Sequence, residues 1–367
     1  MPKKALKKIY MSSTSQNAGK TTVSLGLYHA FKERGINTAF MKPVGQRYVN
    51  VGELAIDKDS YLIGEVFHCE EYFKDMSPVT IARGFTEKYI LHPSKEELRK
   101  VIKQSFRNLI KGKDAIICEG TGHAGVGSVC DVSNSDVAAL LGAKAVIITE
   151  GGIGKSIDEI ILNKALFDLR KVDIIGIIIN KVLPEKYDKV KKIVTKGFAN
   201  KGLKVIGVIP DDPILSFPTV EQIQSHLNLR LICGKENISN HVEHTIVAAM
   251  EPHNMINYLK TGTLVITSGD RVDNILLAVS AHLVSEHKGF HVSGVILTGG
   301  LMPSSKIVGL LRRSNIPVFI TDDPTNSVAA KIENFICKIQ HTDKKKIEEA
   351  TRLVKRYVDI NAIIDGA

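Results

Sequence analysis

The stretch Met11-Ser12-Ser13-Thr14-Ser15-Gln16-Asn17-Ala18-Gly19-Lys20-Thr21-Thr22 decides the fold. It lies between a short apolar run at 9–12 and a helical pattern at 23–34. A polar loop that opens into a helix turns backbone N–H groups and the positive helix end towards phosphate oxygens. Lys20 adds a cation, and the Thr21 hydroxyl can enter a Mg²⁺ shell. The stretch therefore reads as a phosphate-binding loop in which Gln16, Asn17, Ala18, Gly19, Lys20, Thr21 and Thr22 hold a nucleotide. Thr14 stands where the common G-x-x-x-x-G-K-S/T pattern has its first glycine, so the strand-loop-helix context carries the reading.

Outward from this loop, Val- and Ile-rich runs at 38–41, 115–118, 145–149, 174–179 and 205–209 alternate with longer mixed segments. That is the rhythm of parallel strands joined by helices. Several runs are apolar throughout, so both faces of the sheet should be covered, giving a three-layer α/β domain with a mostly parallel sheet. Ligands in such sheets bind beyond the carboxyl ends of the strands, which places Glu119, just after the third run, opposite the loop. Glu119 there could hold Mg²⁺ directly or through water. Asp59, in Asp57-Lys58-Asp59-Ser60, reads either as a second carboxylate for such a site or as a solvated turn or helix-start residue. Glu150-Gly151-Gly152-Ile153-Gly154-Lys155-Ser156 imitates a second phosphate loop, but reads as a glycine-rich turn bordering the same cleft.

Asp211, Asp212, Pro213 and Pro218 interrupt the pattern and mark a boundary. A smaller α/β domain follows, with strands at 263–267, 292–297 and 318–321 and helices at 274–286, 307–313 and 328–339. Ile347, Ala350, Leu353, Val354 and Val358 then recur at helical spacing, predicting a final amphipathic helix. The expected division is 1–213, 214–341 and a C-terminal helical segment 342–367 packed on the second domain.

Composition limits the function. A chain of 367 residues accommodates two domains, and 44% hydrophobic with 24% charged residues excludes a disordered or fibrous chain. There is no Trp, and aromatic residues make up 6%, which speaks against a base-stacking surface and hence against a nucleic-acid partner. The 49 Lys and Arg against 39 Asp and Glu give +10, a bias that attracts anions such as nucleotides. The clusters Lys3, Lys4, Lys7 and Lys8, the stretch 186–204 and Lys344 to Lys346 read as solvated faces. Five cysteines, odd in number and without C-x-x-C spacing, suit a reducing cytoplasm. No signal-peptide core and no long apolar run is present, so no cleavage, anchor or membrane span is expected.

The loop ending Gly19-Lys20-Thr21, Lys42-Pro43-Val44, Glu119-Gly120-Thr121-Gly122 and Asn180-Lys181 occur in the order that resembles dethiobiotin synthetase. With Gly269-Asp270-Arg271 and Leu297-Thr298-Gly299-Gly300 further on, the chain resembles the N-terminal region of long phosphotransacetylases, a synthetase-like P-loop NTPase domain followed by a DRTGG domain. The resemblance implies ATP and Mg²⁺ as cofactors, with Lys20 on the phosphates, Thr21, Asp59 and Glu119 around Mg²⁺, and Lys42 at the reacting centre. It also implies that Asn180 reads the adenine, helped by Pro210 and Asp211. It further implies a homodimer formed near 151–160. The synthetase reaction would be ATP-dependent activation of a carboxylate or carbamate on a small carboxylate or amine substrate. Gln46 and Arg47 replace the small residues of the synthetase pocket, which favours a nucleotide-responsive regulatory module over a ligase. Long phosphotransacetylases carry acyl transfer beyond the DRTGG segment, so that reaction is not expected of these residues alone. No ligand of the DRTGG segment follows from the resemblance.

Overall fold

The computed structural model describes residues 5–285 and 290–367. Lys3, Lys4 and the predicted helix end at Glu286 lie outside the described residues. The chain forms two compact units, the first made of residues up to Asp212 together with Ile339–Ala367, the second of Pro213–Lys338.

Six strands build the sheet of the first unit: β1 (Lys7–Ser13), β2 (Thr38–Met41), β3 (Ala115–Glu119), β4 (Lys144–Glu150), β5 (Ile174–Val182) and β6 (Val205–Pro210). Their order is β6-β5-β4-β1-β3-β2, and every neighbouring pair is parallel. β3 is buried at every position because helices cover both faces, as its unbroken Ala-Ile-Ile-Cys-Glu run requires. Four helices bear on the site: α1 (Lys20–Glu33), α2 (Lys58–Phe67), α3 (Asn134–Leu141) and α4 (Gly154–Leu169). Each predicted strand of this sheet is present, within one to three residues at its ends.

The second sheet runs β7 (Arg230–Cys233), β8 (His244–Val247), β9 (Thr263–Ser268), β10 (Val292–Thr298) and β11 (Val318–Ile320), in the order β7-β11-β10-β9-β8. Only the β7–β11 pair is antiparallel. Alternation sorts its side chains: Val265, Val295, Leu297 and Val318 enter one apolar cluster, while Leu264, Ile266, Ile296 and Phe319 enter another on the opposite face. α5 (Val272–Ser285) follows β9. The edge strands β7 and β8 escape the sequence reading because each is four residues long and partly exposed, which leaves too short a pattern to detect.

The C-terminal segment corrects the sequence expectation. Helices α6 (Lys344–Tyr357) and α7 (Ile360–Gly366) belong to the first unit, not to the second domain that precedes them in the chain. α6 lies on α1, where Gly26 makes the approach close: a Cβ on Gly26 would come within 2.6 Å of Val354 Cβ. Burial of Leu353 and Val354 there contributes about 1.5–3 kcal/mol each. Lys355 bridges to Glu33 (2.7 Å), and Lys7 Nζ donates to the carbonyl of Ile364 (2.5 Å). Adjacency in the chain favours the second domain, but the apolar stripe packs on α1 and β6 of the first unit. Lys346, read as solvated, is also buried and pairs with Asp343.

Among the described residues, no helix is long and apolar enough to cross a membrane.

Candidate functional site

The site forms at the carboxyl ends of β1 and β3. After β1 the chain turns through the loop and enters α1 at Gly19, whose φ of 95° supplies the left-handed backbone that the turn requires. Thr14 takes no such conformation. Its hydroxyl donates to Thr149 Oγ1 on β4 (3.0 Å), which explains how the loop closes without a glycine there. No side-chain hydrogen bond caps α1, and its first turn holds no acidic residue that would offset the positive helix end.

Lys20 is buried and lies inside the loop, donating to Ser13 Oγ at 2.6 Å and reaching the carbonyls of Ser15 and Gly122 at 3.4 Å. Asn180, at the end of β5, donates from Nδ2 to the carbonyl of Ala18 (2.9 Å). Lys181 Nζ donates to the carbonyl of Asn17 (2.8 Å) and pairs with Glu150 (3.1 Å). Gln16 is exposed at the loop tip. Pro210 pairs with Val182 at the neighbouring strand end, and Asp211 N–H donates to the carbonyl of Val182. Asn180, Pro210 and Asp211 thus stand at adjacent strand termini beside the loop.

Thr21, Lys42, Asp59 and Glu119 converge. The Thr21 hydroxyl is 3.1 Å from Asp59 Oδ1 and 3.1 Å from Glu119 Oε1. Lys42 Nζ donates to Asp59 Oδ2 (2.7 Å), Glu119 Oε1 (3.1 Å) and the carbonyl of Gly120 (3.2 Å). Burial would push the Lys42 ammonium down, but the carboxylates of Asp59 and Glu119 outweigh it and hold the group far above the usual lysine range. Asp59 is positioned by its neighbour: Asp57 caps α2, with Oδ1 accepting from Asp59 N–H (2.9 Å).

Glu119 is fully buried, and its Oε2 has no hydrogen-bond partner. An unpaired buried carboxylate oxygen is costly, so this atom calls for a cation or a donor. Two carboxylates and a hydroxyl are hard oxygen donors of the kind Mg²⁺ takes when phosphate oxygens and water complete its shell. Among the described residues, no group of three or more His, Cys, Asp or Glu could hold a metal ion. The residues present fit an Mg²⁺ whose shell phosphate oxygens and water complete.

One residue that shapes the site, Asn134, lies outside the sequence reading. Asn134, buried at the start of α3, donates from Nδ2 to the carbonyls of Thr121 (2.8 Å) and His123 (2.7 Å), and its Oδ1 accepts from Thr121 N–H and the Tyr10 hydroxyl. It fixes the turn after Glu119. Ser133 and Asp136 form a capping box, a local signal that locates the start of α3 but not the partners of Asn134. Gln46 and Arg47 are exposed, whereas Gly45 is needed because a Cβ there would meet Asp57 Oδ2 at 2.5 Å. The imitation loop after β4 is a turn: Ser156 Oγ donates to the carbonyl of Gly152, and Lys155 is exposed beside Glu159.

In the second unit, the glycine and arginine motifs hold strand-end turns. Arg271 forms a two-pronged pair with Asp273 (2.9 Å each) and donates to the carbonyls of Ala249 and Met250. Gly299 and Gly300 take positive φ, and their N–H groups donate to the carbonyls of Asp323 and Thr321. Gly269 has no room for a side chain, since a Cβ would fall 1.6 Å from the Leu301 carbonyl oxygen.

A family model described as "AAA domain" (AAA_26) matches residues 7–219, more than half of the chain. The chain belongs to the AAA_26 family. In this member the AAA domain is followed by a DRTGG domain, matched over residues 222–335. Phosphate acetyltransferase of Nitratidesulfovibrio vulgaris is 26% identical over 363 residues, covering 96% of this chain and 50% of that protein. Phosphate acetyltransferase of Synechocystis sp. is 26% identical over 360 residues with the same coverage. The chain spans about half the length of these curated relatives. Among solved structures, cobyrinic acid a,c-diamide synthase from Mycobacterium smegmatis with bound ADP and magnesium is 13% identical, covering 57% of this chain and 88% of that chain, with a TM-score of 0.39. The CBS and DRTGG domains of a Clostridium perfringens pyrophosphatase, complexed with diadenosine tetraphosphate, are 17% identical, covering 45% and 83%, with a TM-score of 0.26.

Proposed function

We propose that the AAA domain of this chain binds Mg²⁺-ATP and that the chain is a nucleotide-responsive regulatory module of the kind that begins long phosphotransacetylases. The observation that carries the reading is the meeting of Thr21, Asp59 and Glu119 within 3.1 Å contacts, beside Lys20 and at the open end of α1. The phosphates would lie on the loop, and Mg²⁺ would be held by Thr21, Glu119 and Asp59, where it would offset phosphate charge. Asn180, Pro210 and Asp211 would border the base. An odd count of five cysteines without C-x-x-C spacing supports work in a reducing cytoplasm.

The test is the Mg²⁺ dependence of ATP binding. In the native chain Mg²⁺ should tighten ATP by about tenfold or more, a coupling of ~1.4 kcal/mol. In Glu119→Gln most of that gain should vanish while metal-free binding persists. Equal Mg²⁺ gains in both proteins would contradict the metal assignment. Phosphate released steadily on adding a carboxylate or amine would instead place the ligase reading first.

A homodimer is part of the same proposal. Leu162 (72% exposed) and Leu169 (67% exposed) stand on the outer face of α4 with Ile161 and Leu166 also exposed, an apolar stripe that a second copy would cover. Sedimentation velocity should give a dimer for the native chain and a monomer for Leu162→Glu/Leu169→Glu. A native monomer at micromolar concentration would contradict this.

A further inference from the structure

We infer that Lys42 is the resident cation of the metal site, holding Asp59 and Glu119 until a metal-nucleotide complex displaces it, so that the protein takes Mg²⁺ with its nucleotide and not before. This rests on the Mg²⁺-ATP reading above and adds an order of events to it.

An ammonium has three N–H bonds, and all three of Lys42 are directed at protein acceptors: Asp59 Oδ2, Glu119 Oε1 and the carbonyl of Gly120. Lys42 is 3% exposed, so no water substitutes readily for these partners. Glu119 Oε1 receives both Lys42 and the Thr21 hydroxyl, so the oxygen best placed for a metal is already engaged by a positive charge. The two carboxylates and Lys42 sum to one negative charge. That is a weak trap for a hydrated dication, which surrenders its water reluctantly. A nucleotide's phosphates add the missing negative charge and give Lys42 new acceptors when it leaves the carboxylates. Glu119 Oε2, buried and without a partner, is the oxygen that the resident lysine leaves unanswered and that metal or its bound water would complete.

The inference makes Lys42 a selector against bare metal. Its removal should uncover a site of two negative charges and a hydroxyl. The experiment titrates Mn²⁺ into nucleotide-free protein and reads free Mn²⁺ by electron paramagnetic resonance. Lys42→Met should bind one Mn²⁺ at least about tenfold more tightly than the native chain, from the unit of charge removed. Mn²⁺ should also raise its melting temperature more than that of the native chain. Adding Glu119→Gln should abolish the gain, whereas Lys42→Arg should stay as closed to Mn²⁺ as the native protein. If Lys42→Met does not fold, Lys42→Gln, whose amide can still donate to the carboxylates, is scored in the same way. Native protein that binds Mn²⁺ as tightly as Lys42→Met, or as Lys42→Gln where that variant is used, overturns the inference. A parallel titration of the native chain with ATP present separates the two levels: Mn²⁺ uptake there, with no gain in the nucleotide-free variants, leaves the Mg²⁺-ATP reading standing and removes Lys42 from its role. No uptake with ATP removes the reading itself.

Discussion

Gly19→Ala is expected to destabilise the first unit by about 2–4 kcal/mol and to weaken ATP binding with it, the sum of a backbone and a packing penalty. The backbone part comes from φ 95°, a conformation that costs an L side chain about 1–2 kcal/mol. The packing part comes from Asn180, whose Nδ2 lies 2.0 Å from where the new Cβ would stand. Asn180 cannot yield cheaply, because it is buried and its amide holds the Ala18 carbonyl. Gly35→Ala is the control: φ is 70° there, but nothing lies within 4 Å of a Cβ, so only the backbone part should appear. Urea unfolding of both variants with calorimetric titration of ATP measures the two effects. Equal losses in the two proteins would mean that Asn180 does not brace the loop.

The loop, its strand and its helix were legible because they are local: a polar turn between an apolar run and a helical pattern constrains its own geometry. Glu119 was legible for a related reason, since its strand has no polar residue before it and strand ends define the ligand edge of a parallel sheet. Asp59 was less so. Its place depends on Asp57 capping α2 at the end of a hairpin formed by Tyr48–Val51 and Leu54–Asp57, a short irregular excursion with little periodicity. Asn134 was missed because its partners are carbonyl oxygens more than ten residues away, and hydrogen bonds to backbone leave no trace in side-chain pattern. The destination of the C-terminal helix was missed for the same kind of reason. An amphipathic stripe announces that a helix will pack, but Gly26, which makes α1 its seat, carries no side chain with which to advertise the groove.

The pairing of Lys42 with Asp59 and Glu119 was also beyond reach from sequence. Each residue was chosen for the site separately, yet their contacts with one another give Lys42 its distinct part. A buried triad of this kind is a poor source of stability, since desolvation offsets most of the attraction. Its presence beside the loop accords with the proposed entry of a metal-nucleotide complex there.

Phosphate binding by the loop is decided by Lys20→Ala. Lys20 is buried, aimed along the loop and held by Ser13 Oγ, in reach of an anion seated on the start of α1. Removing it deletes a charge-assisted contact of about 1.5–3 kcal/mol, so ATP should bind roughly 10- to 150-fold more weakly to Lys20→Ala in calorimetric titration with Mg²⁺ present. Circular dichroism should show the fold retained. Equal affinity in the native and Lys20→Ala proteins would contradict the assignment of the phosphate site.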